Sequence, residues 1–284
     1  MGEKTGNGGM KLLGTVTWYY FRNYYRSKSF YFMVVITLLV SALLSYFSFN
    51  YINSIGSIFP GANLTDIGTF AREQIFGYLW SFVLLDLPVF ASVFFGSPAI
   101  SSEIESKTAY HIFTLPIGRT KLFVSKYLAA VAATSLTVLI YVAVQGAVFI
   151  YLFHGLLIYP FYESIGLLIV FIFAIVAFTF LISGIFDRNT YAYITVFLIY
   201  FLVFSAFQII VEFLYRETPF YLLNVAASIV ERVYININPD PFRTSFTFAP
   251  AGQSDILLSL AVIAMYWIVS LSAGIIMFER KEVK

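Results

Sequence analysis

No cysteine occurs in this sequence. Its absence removes disulfides, thiolate metal sites and cysteine nucleophiles together, and leaves the redox compartment undetermined. Histidine is nearly as scarce, since His111 and His154 are the only two, and they lie far apart in the chain, so a shared metal site or catalytic pair is not expected. The patterns GxxxxGK[ST], HExxH and GxSxG are also missing. Their absence removes a phosphate-binding loop and the commonest metalloprotease and hydrolase signatures. The deepest shortage is of charge: Asp, Glu, Lys and Arg make up 11% of the residues, against about 25% in soluble domains. The net charge of +2 is too small to draw nucleic acid.

What fills the chain instead is apolar. Hydrophobic residues reach 60% and the mean hydropathy is +0.85, which places the chain in a lipid bilayer. A helix needs about 20 apolar residues to cross about 30 Å of hydrocarbon. Six runs meet that length, roughly 29–49, 75–100, 123–150, 163–185, 191–212 and 255–277. Segments such as VVITLLVSALL and LLIVFIFAIVAF are continuously apolar rather than alternating, so they read as helices and not as barrel strands. The expected fold is all-α, a single transmembrane domain over 1–284 with six spans and both termini on one side.

Orientation follows from Lys and Arg, which collect on the cytoplasmic side. On one side fall Lys4, Lys11, Arg22, Arg26, Lys28, Lys107, Arg119, Lys121, Lys126, Arg188, Arg280, Lys281 and Lys284; on the other only Arg72, Arg216, Arg232 and Arg243. The termini and the 101–121 loop are therefore expected in the cytoplasm of a multi-pass cell-membrane protein. Residues 10–28 set Lys11, Thr15, Arg22 and Arg26 on one helical stripe, the pattern of an interfacial helix or of a plain basic flank. Within the outer loop, 213–254, Thr218 and Pro219 read as the start of a helix, with Phe220, Leu223, Ala227, Val230 and Tyr234 at helical spacing. It is expected to cap the outer mouth, to dip into the membrane, or simply to pack against the bundle.

The inner loop SSEIESKTAYHIFTLPIGRTK is rich in charge for so apolar a chain. Ser102 and Glu105 fit a capping box, Ile104, Thr108, Ile112 and Leu115 share a helical face, and Pro116 and Gly118 end the pattern. The spacing predicts a short amphipathic helix, a docking surface rather than a span. Here EIESKT followed by TLPIGRTKLFVSK resembles the cytoplasmic signature of the type-two exporter family of ATP-binding-cassette permeases. Glu103, Glu105, Thr108, Leu115, Pro116, Ile117, Arg119 and Lys126 match it, while Lys107 replaces a common Gly and Gly118 a frequent Ser. The ending IIMFERKEVK and the order of parts are similar to that family as well.

The resemblance implies that this chain supplies a passage and no energy. ATP and Mg would be bound by separate ATP-binding-cassette ATPase subunits, with no cofactor on this chain, and a second permease copy or paralogue would complete the passage. The ATPase would grip Glu103, Glu105, Lys107, Thr108, Leu115, Pro116 and Arg119. From the residues themselves, Asp86 in LLDLPVF is an ionisable group at about mid-span. It is expected either to line the pathway or to bond a neighbouring helix. Gln145 is a second polar candidate in the third span. The competing reading is a self-contained ion-coupled secondary carrier or a membrane-embedded enzyme. A carrier of that kind usually shows paired repeats and several intramembrane charges; no repeat is visible here.

Overall fold

Apolar segments with no water beside them must close their backbone hydrogen bonds internally, and this chain closes them as helices. In the computed structural model, which describes residues 5–52, 69–107, 118–155, 157–236 and 250–281, the order is α1 (Thr5–Tyr25), α2 (Lys28–Tyr51), α3 (Thr69–Gly96), α4 (Pro98–Glu105), α5 (Arg119–Phe153) and α6 (Tyr159–Ile185). Then follow α7 (Asn189–Phe197), a π-helical turn (Leu198–Phe204), α8 (Ser205–Tyr215), α9 (Leu223–Ala227), α10 (Ile229–Arg232) and α11 (Gln253–Arg280). Six segments are long and apolar enough to cross a membrane: α2, α3 with α4, α5, α6, α7 through α8, and α11. No strand occurs among the described residues, so the fold is all-α.

The sequence decides which helices sit inside. A helix apolar all round is buried all round, and α6 is the most apolar of the six and the most deeply enclosed. Phe171, Ala174, Ile175, Val176, Ala177 and Phe180 have no exposed surface. With α3 and α5 it forms the centre, while α2, α7 through α8, and α11 keep most of their apolar surface outward. Phe207, Ile209, Ile210, Phe213 and Leu214 of α8 are all exposed, a face suited to lipid. One chain of contacts locks α2, α3 and α5: Trp80 Nε1 donates to Ser48 Oγ at 3.0 Å, Tyr141 Oη donates to the Trp80 carbonyl at 2.8 Å, and their ring centroids stand 5.3 Å apart.

Three local expectations are corrected. The helix after the second span begins at Pro98, so Ser102 is not a cap; its hydroxyl donates back to the Pro98 carbonyl instead. The cap comes from another helix, because Ser183 Oγ of α6 accepts from Ile100 N at 3.3 Å and Ser101 N at 3.2 Å. The helix read from Pro219 is a turn followed by α9 and α10, jointed at Ser228. Leu223, Val225, Ala226, Ala227, Ile229, Val230 and Tyr234 are all buried, so of the expected roles it is packing that this segment shows, as a wedge enclosed on several sides. Gly77 makes room for it, since a Cβ there would overlap the Tyr234 ring. The fifth span, read as a plain helix, carries the π-helical turn at its middle. Thr108, His111, Ile112, Leu115, Pro116 and Ile117 of the inner loop, and the NPDPF segment, lie outside the described residues.

Candidate coupling site and pathway residues

The two stems of the 101–121 loop are held by the chain's own charges. Lys126, about two turns inside α5, has a side chain only 1% exposed and pairs with Glu103 of α4. Its Nζ also donates to the Ala99 carbonyl at 3.0 Å and stands 5.1 Å over the Tyr20 ring of α1. A buried ammonium without partners would cost several kcal/mol; here a carboxylate, a carbonyl and a ring face share it. Burial, and next the Glu103 charge, push the Tyr20 and Tyr24 hydroxyls well above the usual tyrosine range. One carboxylate and one ammonium thus join the first helix, the stem of the loop and the third span.

Glu105 reaches sideways instead. Its Oε2 accepts from Asn189 N at 3.0 Å, which places a negative charge at the start of α7 where the helix dipole favours it. Arg119 does the converse at the end of α11, donating from Nη1 to the Glu279 carbonyl at 2.8 Å and to the Lys281 carbonyl at 3.4 Å. Thr120 donates to the Glu279 carboxylate. Lys281 closes the ring by donating to the Gly184 carbonyl at 2.8 Å and pairing with Asp187 at 3.0 Å. Lys107 is exposed and adopts a left-handed backbone, φ 59°. That conformation favours glycine, which accounts physically for the glycine expected at this position. Thr108, Leu115 and Pro116 fall outside the described residues. A displacement of the loop would therefore pull on α1, α5, α6, α7 and α11 together.

The two pathway candidates are not brought together. Asp86 lines a cavity of about 240 Å³ between α2 and α3. Gln145 is fully enclosed, beside the Tyr234 hydroxyl together with Ser81 and Ser164. A second, polar cavity of about 120 Å³ is lined by Tyr78, Gln208, Glu212, Ser228, Glu231 and Arg232. Burial pushes the Glu231 carboxyl up to about 8, Arg232 lowers it and the Asp86 charge raises it further. Arg232 is held by Asp255 at 3.5 Å and Asn236 at 2.9 Å. Among the described residues no cluster of His, Asp and Glu could hold a metal ion.

Sequence reasoning missed the Glu103–Lys126 pairing, although a lone Lys inside the apolar run LFVSKYLAAV signals that some carboxylate must meet it. It also missed the caps made by Arg119 and Lys281, whose partners are backbone carbonyls on distant helices and leave no local pattern.

The family model described as ABC-2 family transporter protein matches residues 15–283, and no curated protein matches the chain. The match takes in the second half of α1, all six apolar helices and the ties between the loop stems and their neighbours. This chain belongs to the ABC-2 transporter family, as a multi-pass membrane permease.

Proposed function

We propose that this permease forms half of the passage of an ATP-driven exporter, and that a separate ATP-binding-cassette ATPase docks on the 101–121 loop. ATP and Mg are bound by that partner, and a second permease copy or a paralogue supplies the other half. Both termini and the loop face the cytoplasm, where Lys and Arg collect. The observation that supports this best is the ring of ties itself. The two stems of one polar loop are tied to each other by Glu103–Lys126, and to α7 and α11 by Glu105–Asn189 and Arg119–Glu279. Such a ring turns a push on the loop into a rigid-body movement of the bundle rather than a local bend.

The test is affinity purification of the tagged full chain with identification of the co-purifying proteins. An ATP-binding chain with a GxxxxGK[ST] motif is expected, and replacing residues 108–117 by a Gly/Ser linker should abolish its capture while membrane insertion stays normal. Capture of that ATPase undiminished by the replacement would remove the loop from the interface. No ATP-binding chain at all would favour a self-contained carrier.

A further inference from the structure

A carboxylate inside a membrane domain is ordinarily met by a cation or by several donors. Asp86 has neither: among the described residues no basic side chain pairs with it and no hydrogen bond reaches it. The ionisable groups it acts on electrostatically are Tyr200 and Glu231, and neither is cationic. Its cavity of about 240 Å³ is otherwise apolar, walled by Met33, Ile36, Val83, Phe90 and Phe94, and Asp86 is the one charged group in the lining. Phe90 packs on Phe197 and Phe201 at 5.3 and 5.5 Å, which joins the wall to the π-helical turn. Turns of that kind recur at functional sites.

The lining selects a ligand class by elimination. An anion meets the carboxylate, and a neutral solute leaves that charge unpaired in an apolar cavity. A hard metal ion requires about six oxygen ligands, and the lining offers a single carboxylate. An apolar body carrying one positive charge satisfies every wall, with the ammonium beside the carboxylate and within reach of aromatic faces that themselves favour cations. We propose that the cavity between α2 and α3 binds a hydrophobic organic monocation, with Asp86 as its counter-charge and Phe90 and Phe94 against its apolar body. Its meaning as a substrate site rests on the exporter reading above; the binding itself does not.

Binding of trimethylphenylammonium is measured on the full chain in nanodiscs of phosphatidylglycerol, whose headgroups carry no ammonium, with empty nanodiscs subtracted. The neutral isostere tert-butylbenzene is the companion probe. The cation is expected to bind at least about tenfold tighter than the isostere, the difference made by one desolvated charge pair. Asp86→Asn should remove that advantage and Asp86→Glu should keep it, with melting temperatures unchanged. Ile36→Trp, which fills the cavity and leaves the carboxylate in place, should weaken the cation by a similar factor. Equal binding of cation and isostere, or undiminished cation binding by Asp86→Asn or Ile36→Trp, would overturn the proposal. So would competition by phosphatidylcholine added to the nanodiscs, which would assign the site to a lipid headgroup. Transport is read separately, as ATP-dependent uptake into inside-out vesicles carrying the whole complex. Charge-selective binding without such uptake keeps the site and removes the exporter reading; ATP-dependent uptake of another solute without cation binding does the reverse.

Discussion

Neutralising Glu103 tests how the loop stem is held. Lys126 is 1% exposed and Glu103 18%, so in Glu103→Leu the ammonium keeps only the Ala99 carbonyl and the Tyr20 ring while staying out of water. Removing one partner of a buried pair costs about 3–5 kcal/mol, whereas replacing both by apolar residues of similar volume is close to neutral. Glu103→Leu is therefore expected to lose about 3–5 kcal/mol, at the lower end because Glu103 retains some solvent contact, and Lys126→Met a comparable amount. The double variant Glu103→Leu with Lys126→Met should recover most of that loss. The assay is equilibrium unfolding of the purified chain by SDS in mixed micelles, run as a double-mutant cycle. Single variants within about 1 kcal/mol of the parent, or strictly additive effects, would refute a coupled buried pair. The same reasoning fixes what charge reversal would do: Glu103→Lys places two ammoniums together inside the chain's own helix junction, so a loss of stability should precede any loss of docking.

Three further outcomes follow from local geometry. At Lys107, whose backbone is left-handed, Lys107→Gly removes a Cβ penalty of about 1–2 kcal/mol and should raise the melting temperature, while Lys107→Val, stiffer at Cβ, should lower it; a Val variant as stable as the Gly variant would contradict the strain. Ser183→Ala removes the acceptor for Ile100 and Ser101 amides and should cost about 1 kcal/mol, read by thermal unfolding, with Ser183→Thr closer to the parent than Ala. Glu231 titrates near 8 in the folded chain, above an unfolded value of about 4.3, so folding favours its protonated form. Its contribution is complete below the unfolded value and is lost as pH rises toward and through about 8. Glu231→Gln should flatten the fall in melting temperature across that window, and an unchanged profile would show that the carboxyl is not buried.

How much of this was written in the chain depends on the length over which a signal repeats. The six apolar helices were legible because each run repeats one property over about 20 residues, and VVITLLVSALL allows no strand alternation. Asp86 was legible for the opposite reason, a single charge inside LLDLPVF. Short-range readings fared worse. Ser102 and Glu105 have the capping-box spacing, yet the helix starts four residues earlier at Pro98, because Ser183 from another helix satisfies its amides. The α9–α10 wedge looks amphipathic when every third or fourth residue is counted, but Leu222, Val225, Ala226, Ile229 and Val233 between them are also apolar and buried, and the segment is jointed at Ser228. The π-helical turn leaves no pattern at all, since LIYFLVF is equally good α-helix. The partners of Lys126, Arg119 and Lys281 are fixed by tertiary packing, which no spacing along the chain reveals.

The central claim is that this chain is a passage moved by an ATPase it does not contain. Native mass measurement of the complex purified through the tagged permease in mild detergent tests it most directly. The account predicts an assembly of two permease chains with two ATP-binding subunits, which loses the subunits when residues 108–117 are replaced. A stable single chain of 32.2 kDa with no ATP-binding protein attached would contradict it.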